Sequence, residues 1–193
     1  MDDLIGRYKE KLFRALDSRD VSRLIHKLAT DMAATSASGR TIFICGNGGS
    51  AGNAIHLAND FLYGAGKTNG RGLNVEALPA NGAVMTCLGN DIGYDKIFSE
   101  QIRVKGKAND LLIVLSGSGN SPNVVNALKE ANSVGIKTWA ILGFDGGLCK
   151  TKADNAIHFK VDDMQVSEDL QLIVGHLCMQ WLSEICFEAF EGI

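Results

Sequence analysis

Apolar residues recur at helical spacing through residues 3–16, where Leu4, Ile5, Tyr8, Leu12, Phe13 and Leu16 share a face. The same period returns over 20–37 with Val21, Leu24, Ile25, Leu28, Met32 and Ala33. Two helices therefore precede the first strand. From residue 40 the pattern changes. TIFIC at 41–45 is a short β-branched and aromatic run, which reads as a buried strand, and GNGGS follows it as a turn. A helix is expected over 51–63 and a second strand over 73–78. Residues 83–102 combine a short apolar run, a polar break at Gly89-Asn90-Asp91 and a helix from about Tyr94. DLLIVLS at 110–116 is the clearest strand. SGSGNSPN follows it, then a helix through Val134. Two more strands are expected at 137–142 and 156–161, separated by the break GFDGG, and a long helix over about 167–190.

Strands alternating with helices over some 150 residues predict an α/β fold. Its form is a doubly wound, five-stranded parallel sheet flanked by helices, with two N-terminal helices and a long C-terminal helix. One domain over 1–193 is expected, with a helical extension over 1–37 and the α/β core over 40–193. Ligands of such sheets bind beyond the carboxyl ends of the strands. Both glycine-rich turns fall on that edge.

Composition narrows the classes. The 193 residues are 46% hydrophobic and 21% charged, with a net charge of −3. That balance offers no footprint for nucleic acid or a membrane surface. The five cysteines, Cys45, Cys87, Cys149, Cys178 and Cys186, are widely spaced and form no CxxC pair. They read as reduced, mostly buried thiols of a cytoplasmic protein. The N-terminus is charged and amphipathic, unlike a secretory signal.

The serine loop has the chemistry of a phosphate cradle. Ser121 and Pro122 read as N-cap and first residue of a helix, whose opening turn presents unpaired N–H groups and a positive dipole end. Three serine hydroxyls stand beside it. A Walker lysine is missing, so a phosphate monoester fits better than a nucleoside triphosphate. GNGGS meets the dinucleotide fingerprint only in relaxed form, with Asn53 where its third small residue would follow. Both loops can also be read as ordinary turns. His56 and Asp60, four residues apart, share one helical face. Glu168 and His176 stand eight apart on the last helix, rising about 12 Å. His with carboxylate suits a divalent metal and also proton transfer near neutral pH. The first pair equally describes a surface ion pair, and His176 a satisfied core histidine. Trp139, Trp181 and Phe187 read as core or interface packing.

In combination CGNGGS, LGNDIGYDKIFSEQI, LSGSGNSPNVV and GFDGG resemble the sugar isomerase (SIS) domain, and within it the phosphoheptose isomerases. The resemblance covers nearly the whole chain. It implies an aldose–ketose isomerase that interconverts sedoheptulose 7-phosphate and D-glycero-D-manno-heptose 7-phosphate through an enediol, the first step of ADP- or GDP-heptose synthesis for surface polysaccharide. Carried over by position, it implies substrate contacts from Asn47, Gly48, Gly49, Ser50, Asn90, Asp91, Ser116, Gly117, Ser118 and Ser121, with Asp60 and Glu168. It implies Asp60 and His176 as the proton-transfer pair, on opposite sides of the sugar. It implies zinc, one per subunit, on His56, Asp60, Glu168 and His176, and a homotetramer with sites between subunits. Asp60 stands where the family has glutamate, and Glu168 where it has glutamine. A phosphosugar-binding or initiator-associating SIS protein without catalysis, or an isomerase of another phosphosugar, shares the same loops.

Overall fold

The computed structural model describes residues 1–67 and 70–185. Cys186, Phe187 and the expected end of the last helix lie outside them. Five parallel strands form one sheet in the order β2-β1-β3-β4-β5. They are β1 (Ile42–Cys45), β2 (Val75–Ala77), β3 (Leu111–Ser116), β4 (Lys137–Leu142) and β5 (Asn155–His158). The helices are α1 (Asp2–Leu16), α2 (Arg19–Ala37), α3 (Gly49–Leu62), α4 (Gly82–Asp91), α5 (Ser99–Lys105), α6 (Pro122–Val134), α7 (Gly147–Lys152) and α8 (Met164–Glu184).

Strand alternation divides the core. Ile42, Ile44, Leu111, Ile113, Leu115, Trp139 and Ile141 face α2, α3 and α8. Phe43, Cys45, Leu112, Val114, Ala140 and Leu142 face α5 and α6. Trp139 is fully buried, and its indole N–H donates to Asp31 Oδ2 at 2.9 Å. Cys45, Cys149 and Cys178 are buried and Cys87 is exposed. Burial pushes the Cys149 and Cys178 thiols up to about 12, so neither is a nucleophile at neutral pH. Among the described residues no helix is long and apolar enough to cross a membrane.

Two local expectations are corrected. Gly89-Asn90-Asp91 does not break the chain. It forms the last turn of α4, which Asn81 caps through bonds from the Ala83 and Val84 amides, both at 3.1 Å. A side-chain cap offsets the cost of beginning a helix there, and a glycine in a last turn is cheap. The final helix starts earlier than expected, because Asp163 caps it from outside by accepting from the Val166 amide at 3.2 Å.

None of the residues of α1 is buried. Tyr8, Leu12, Ala15 and Leu16 pack against the core from outside. Two polar bonds tie the helix to α8 and its cap: the Tyr8 hydroxyl donates to Asp169 Oδ2 and Lys11 Nζ meets Asp163 Oδ2, both at 2.6 Å. Burial and then the Asp169 carboxylate raise the Tyr8 hydroxyl to about 12 from an ordinary value of 10.0. The fold thus favours the neutral phenol. The stabilisation from this contact is complete below pH 10 and is lost as pH climbs from about 10 to 12. Protease cleavage within α1 should accelerate over that interval. Tyr8→Phe should remove the pH step while lowering stability by about 0.5–1.5 kcal/mol in denaturant titration.

Candidate active site

The sheet order reverses direction after β1, since β2 lies on one side of it and β3 on the other. A crevice opens at such a switch point, beyond the carboxyl ends of the two diverging strands. The turn after β1 holds Asn47, Gly48, Gly49 and Ser50, and the loop after β3 holds Ser116, Gly117, Ser118 and Ser121. The two loops touch directly: Asn47 and Asn123 exchange amide hydrogen bonds, each 2.8 Å long.

Both loops lead into helices whose first turns carry no side-chain cap, α3 and α6. By contrast α2, α4 and α8 are each capped by a side chain, while α1, α5 and α7, into which neither loop leads, also lack one. Ser121 does occupy the N-cap position of α6, but its hydroxyl makes no cap bond. It stays available to a ligand. Ser116 Oγ accepts from the Gly119 amide at 3.0 Å and Ser118 Oγ from the Asn120 amide at 3.3 Å, so each retains its own hydroxyl proton. GFDGG is the buttress of this loop: the Gly143 amide donates to Gly117 O, and the Cys149 amide to Gly119 O.

The second group of residues lies along a seam between α3 and α8. The helices run in the same direction, and their contacts step down both. At the top, a Cβ on Gly49 would overlap the Glu168 carboxylate. One turn on, Asn53 Nδ2 donates to Glu168 O at 3.0 Å and to Gln171 Oε1 at 3.1 Å. A turn further, Leu57 seats so closely on Gly175 that a Cβ there would overlap its side chain. The chain neighbours of that contact are His56 and His176. Their Nε2 atoms stand 3.0 Å apart. Asp60 Oδ2 lies 3.4 Å from His56 Nε2 and 3.5 Å from His176 Nε2. The histidine side chains are 49% and 42% exposed and the carboxylate 19%, so the cluster opens to solvent.

These three atoms form a triangle suited to one ion. A tetrahedral metal with bonds of about 2.0–2.1 Å sets its ligands about 3.3–3.4 Å apart, close to the three edges seen here. Two imidazoles and a carboxylate are also the donor types that zinc takes. Without an ion, only one of the two facing Nε2 atoms can carry the proton between them.

Of the four expected ligands the structure brings three together. Glu168 is not among them. Eight residues of helix separate it from His176, and the parallel seam spends that rise along α3, leaving Glu168 beside the glycine turn. The proton-transfer pair is expected to flank the sugar; Asp60 Oδ2 and His176 Nε2 stand 3.5 Å apart in one cluster. Asn90 and Asp91 end α4, both exposed, with Asn90 Nδ2 donating to Asp91 Oδ1 at 2.7 Å. Their segment reaches the crevice through Tyr94, whose hydroxyl donates to Asn47 Oδ1 at 3.2 Å. Tyr94, Asn123, Gln171 and Gly175 are the residues that sequence reasoning missed. Gln171 is 1% exposed, and its Nε2 is the buried side-chain donor left without a partner among the described residues. Only its place one helical turn below Glu168, on an otherwise apolar face, marks it in the sequence.

Gly175→Ala should part α3 from α8. The inserted methyl should cost about 1–3 kcal/mol in denaturant titration and widen the His56–His176 gap beyond hydrogen-bond distance in a crystal structure.

The SIS domain family profile matches residues 8–143. A phosphoheptose isomerase from Nitratidesulfovibrio vulgaris is 37% identical over 183 residues, which span 95% of this chain and 85% of that protein. Two solved phosphoheptose isomerases share the architecture. That from Francisella tularensis superposes with a TM-score of 0.86 at 25% identity, over 95% of this chain and 98% of its own. That from Neisseria gonorrhoeae gives 0.81 at 28% identity, over 93% and 92%. With the sheet order, the loop pair at its switch point and this extent of likeness, the chain belongs to the SIS domain family and, within it, to the phosphoheptose isomerases.

Proposed function

We propose that this protein isomerises sedoheptulose 7-phosphate to D-glycero-D-manno-heptose 7-phosphate, opening heptose synthesis for surface polysaccharide. The observation that carries the reading is the pairing of an uncapped phosphate cradle with a His-His-Asp cluster along one helix. His56 lies seven residues from Gly49, roughly 10 Å by helical rise. An extended sugar phosphate suits that separation, with its anion at one end and its reacting carbons at the other.

The phosphate is the part that does not react. Binding it at the uncapped turns of α3 and α6, against the Ser116, Ser118 and Ser121 hydroxyls, fixes the sugar chain in place. Asn47, Gly48, Gly49 and Ser50 form the facing wall, and Asn90 and Asp91 reach in with the Tyr94 segment. At the other end, the Asp60 carboxylate removes the proton from the carbon beside the carbonyl and returns it to the neighbouring carbon. His176 Nε2 gives a proton to the carbonyl oxygen and takes one back from the adjacent hydroxyl, so that an enediol lies between the two halves of the reaction. With one carboxylate serving both carbons, the proton leaves and returns on a single face of the enediol. His56, Asp60 and His176 would hold the zinc, which would supply Lewis-acid polarisation of the carbonyl; an Nε2 or carboxylate oxygen that ligates the ion is not free to move a proton, so the ligand and proton-transfer roles of His176 and Asp60 belong to different states. Glu168, beside the turn, contributes to sugar hydroxyl recognition and leaves the fourth position on the ion to a ligand from outside this trio.

An assembly fits the surfaces. Helix α1 exposes Leu4, Ile5 and Phe13, and α4 buries no residue. Ile55, Leu62 and Leu177 are exposed on α3 and α8, the helices that carry the cluster. We take the chain as a single SIS domain of 1–193, its 1–37 extension serving assembly, that works in the cytoplasm as a homotetramer with sites between subunits.

Turnover of sedoheptulose 7-phosphate tests the assignment. His176→Ala should lower kcat at least about 100-fold with the fold intact by circular dichroism. Near-normal turnover in that variant would overturn the role of His176. Binding of sedoheptulose 7-phosphate without turnover by the wild type would favour a sugar-phosphate-binding protein. Zinc content should approach one per chain and be lost in His56→Ala. Full activity after thorough chelation would separate the chemistry from the metal.

A further inference from the structure

Asn123 lies on the second residue of α6, is 2% exposed and belongs to neither the phosphate cradle nor the metal cluster. Its amide faces that of Asn47 in a reciprocal pair, with both N–H···O bonds at 2.8 Å. The Asn123 carbonyl oxygen also accepts from the Val124 amide at 3.0 Å, which settles which end of its amide is oxygen. That in turn settles the Asn47 amide, whose oxygen must face the Asn123 N–H.

The accounting at Asn47 is then nearly closed. A side-chain amide has two N–H donors and an oxygen with two lone pairs. Both lone pairs are used, by Asn123 Nδ2 and by the Tyr94 hydroxyl at 3.2 Å. One N–H is used by Asn123 Oδ1. A single N–H is left, and the half-buried side chain has no freedom in where to point it. Three segments far apart in sequence meet on this one amide: the turn after β1, the segment after α4 and the start of α6.

We infer that Asn123 is a positioning residue for the proposed isomerisation: it orients the Asn47 amide so that its remaining N–H meets an oxygen of the bound sugar phosphate. The inference rests on the isomerase reading. Its own content is that Asn123 acts on the ligand only through Asn47.

Four proteins decide it: wild type, Asn47→Ala, Asn123→Ala and the double variant. Each is assayed for kcat/KM with sedoheptulose 7-phosphate and, separately, for Kd of that ligand by calorimetry. Asn123→Ala should lower kcat/KM about 10- to 100-fold, as expected when a positioning contact is lost. In the Asn47→Ala background the same change should cost less than about 3-fold, because the group it orients is gone. Losses that multiply in the double variant overturn the inference, as does an Asn123→Ala protein with wild-type kinetics. Should Asn123→Ala fail to fold, Asn123→Asp gives the same test, since it keeps an acceptor for the Val124 amide and loses the donor to Asn47. A loss of a few-fold is expected, vanishing when Asn47 is alanine, and an equal loss in both backgrounds overturns it. Should the wild type bind the sugar phosphate without turning it over, the isomerase reading fails while the same non-additivity in Kd still supports, or its absence refutes, the clamp.

Discussion

The seating of Leu57 on Gly175 governs what the rest of the molecule can do. Helix packing is set by the smallest side chain at the crossing, and a glycine lets two helices approach more closely than any other residue would. Here the approach falls between His56 and Leu57 on α3 and between Gly175 and His176 on α8. The residues beside the contact point outward on the same side and must meet. Their 3.0 Å separation follows from a packing event in the core, not from attraction between two imidazoles. Asn53, bonded to both Glu168 O and Gln171 Oε1 one turn above, fixes the rotation of the pair of helices. The cluster is thereby held by elements rather than by loops, which is what a metal or an acid–base site requires.

The phosphate end follows a different rule. Its donors are main-chain amides and hydroxyls at two helix starts, and their availability depends on what the sequence withholds. Side-chain caps stabilise α2, α4 and α8, whereas α3 and α6 begin at Gly48 and Ser121 without one. The missing cap bond forgoes about 1 kcal/mol at Ser121 and only a few tenths at Gly48. In the proposed function a bound phosphate would meet the amides left open there. The main-chain bonds from Gly143 and Cys149 keep the serine loop in shape meanwhile.

Much of this was legible in the chain. TIFIC, DLLIVLS and KTWAIL placed the three central strands, because a buried parallel strand needs no polar alternation, while the edge runs at 73–78 and 156–161 carry Asn74, Glu76, His158 and Lys160. Pro122 marked the start of α6, and the His56–Asp60 spacing marked one face of α3. The misses have a common cause. Glu168 joins His176 in the expected ligand set by position in the family pattern, but its neighbours are decided by how a second helix runs past it. Gly89-Asn90-Asp91 looks like a break because it is polar and small, yet an Asn81 cap eight residues earlier pays for the helix that contains it. Asn123 and Tyr94 carry no local signal, since an amide pair across 76 residues exists only after β1 and β3 have become neighbours.

The two departures from the family pattern belong to the same seam. Aspartate at position 60 reaches one methylene less far than glutamate. With α3 drawn onto Gly175, the shorter side chain already stands 3.4 and 3.5 Å from the two histidines. A longer carboxylate at that spacing would have to fold back or push the helices apart. The shorter acid and the close crossing are therefore consistent with one another, and the cluster keeps a ligand's geometry. Glutamate at position 168 acts at the other end. Its carboxylate packs against Gly49 at the uncapped, positive start of α3. An anion arriving there must share that positive end with Glu168, while at α6 the Asp95 carboxylate stands 3.5 Å from Asn126 Nδ2, one turn inside the helix start. On the proposed function, the charge at position 168 bears on how a phosphate is shared between the two helix starts, and so on which way round the substrate lies.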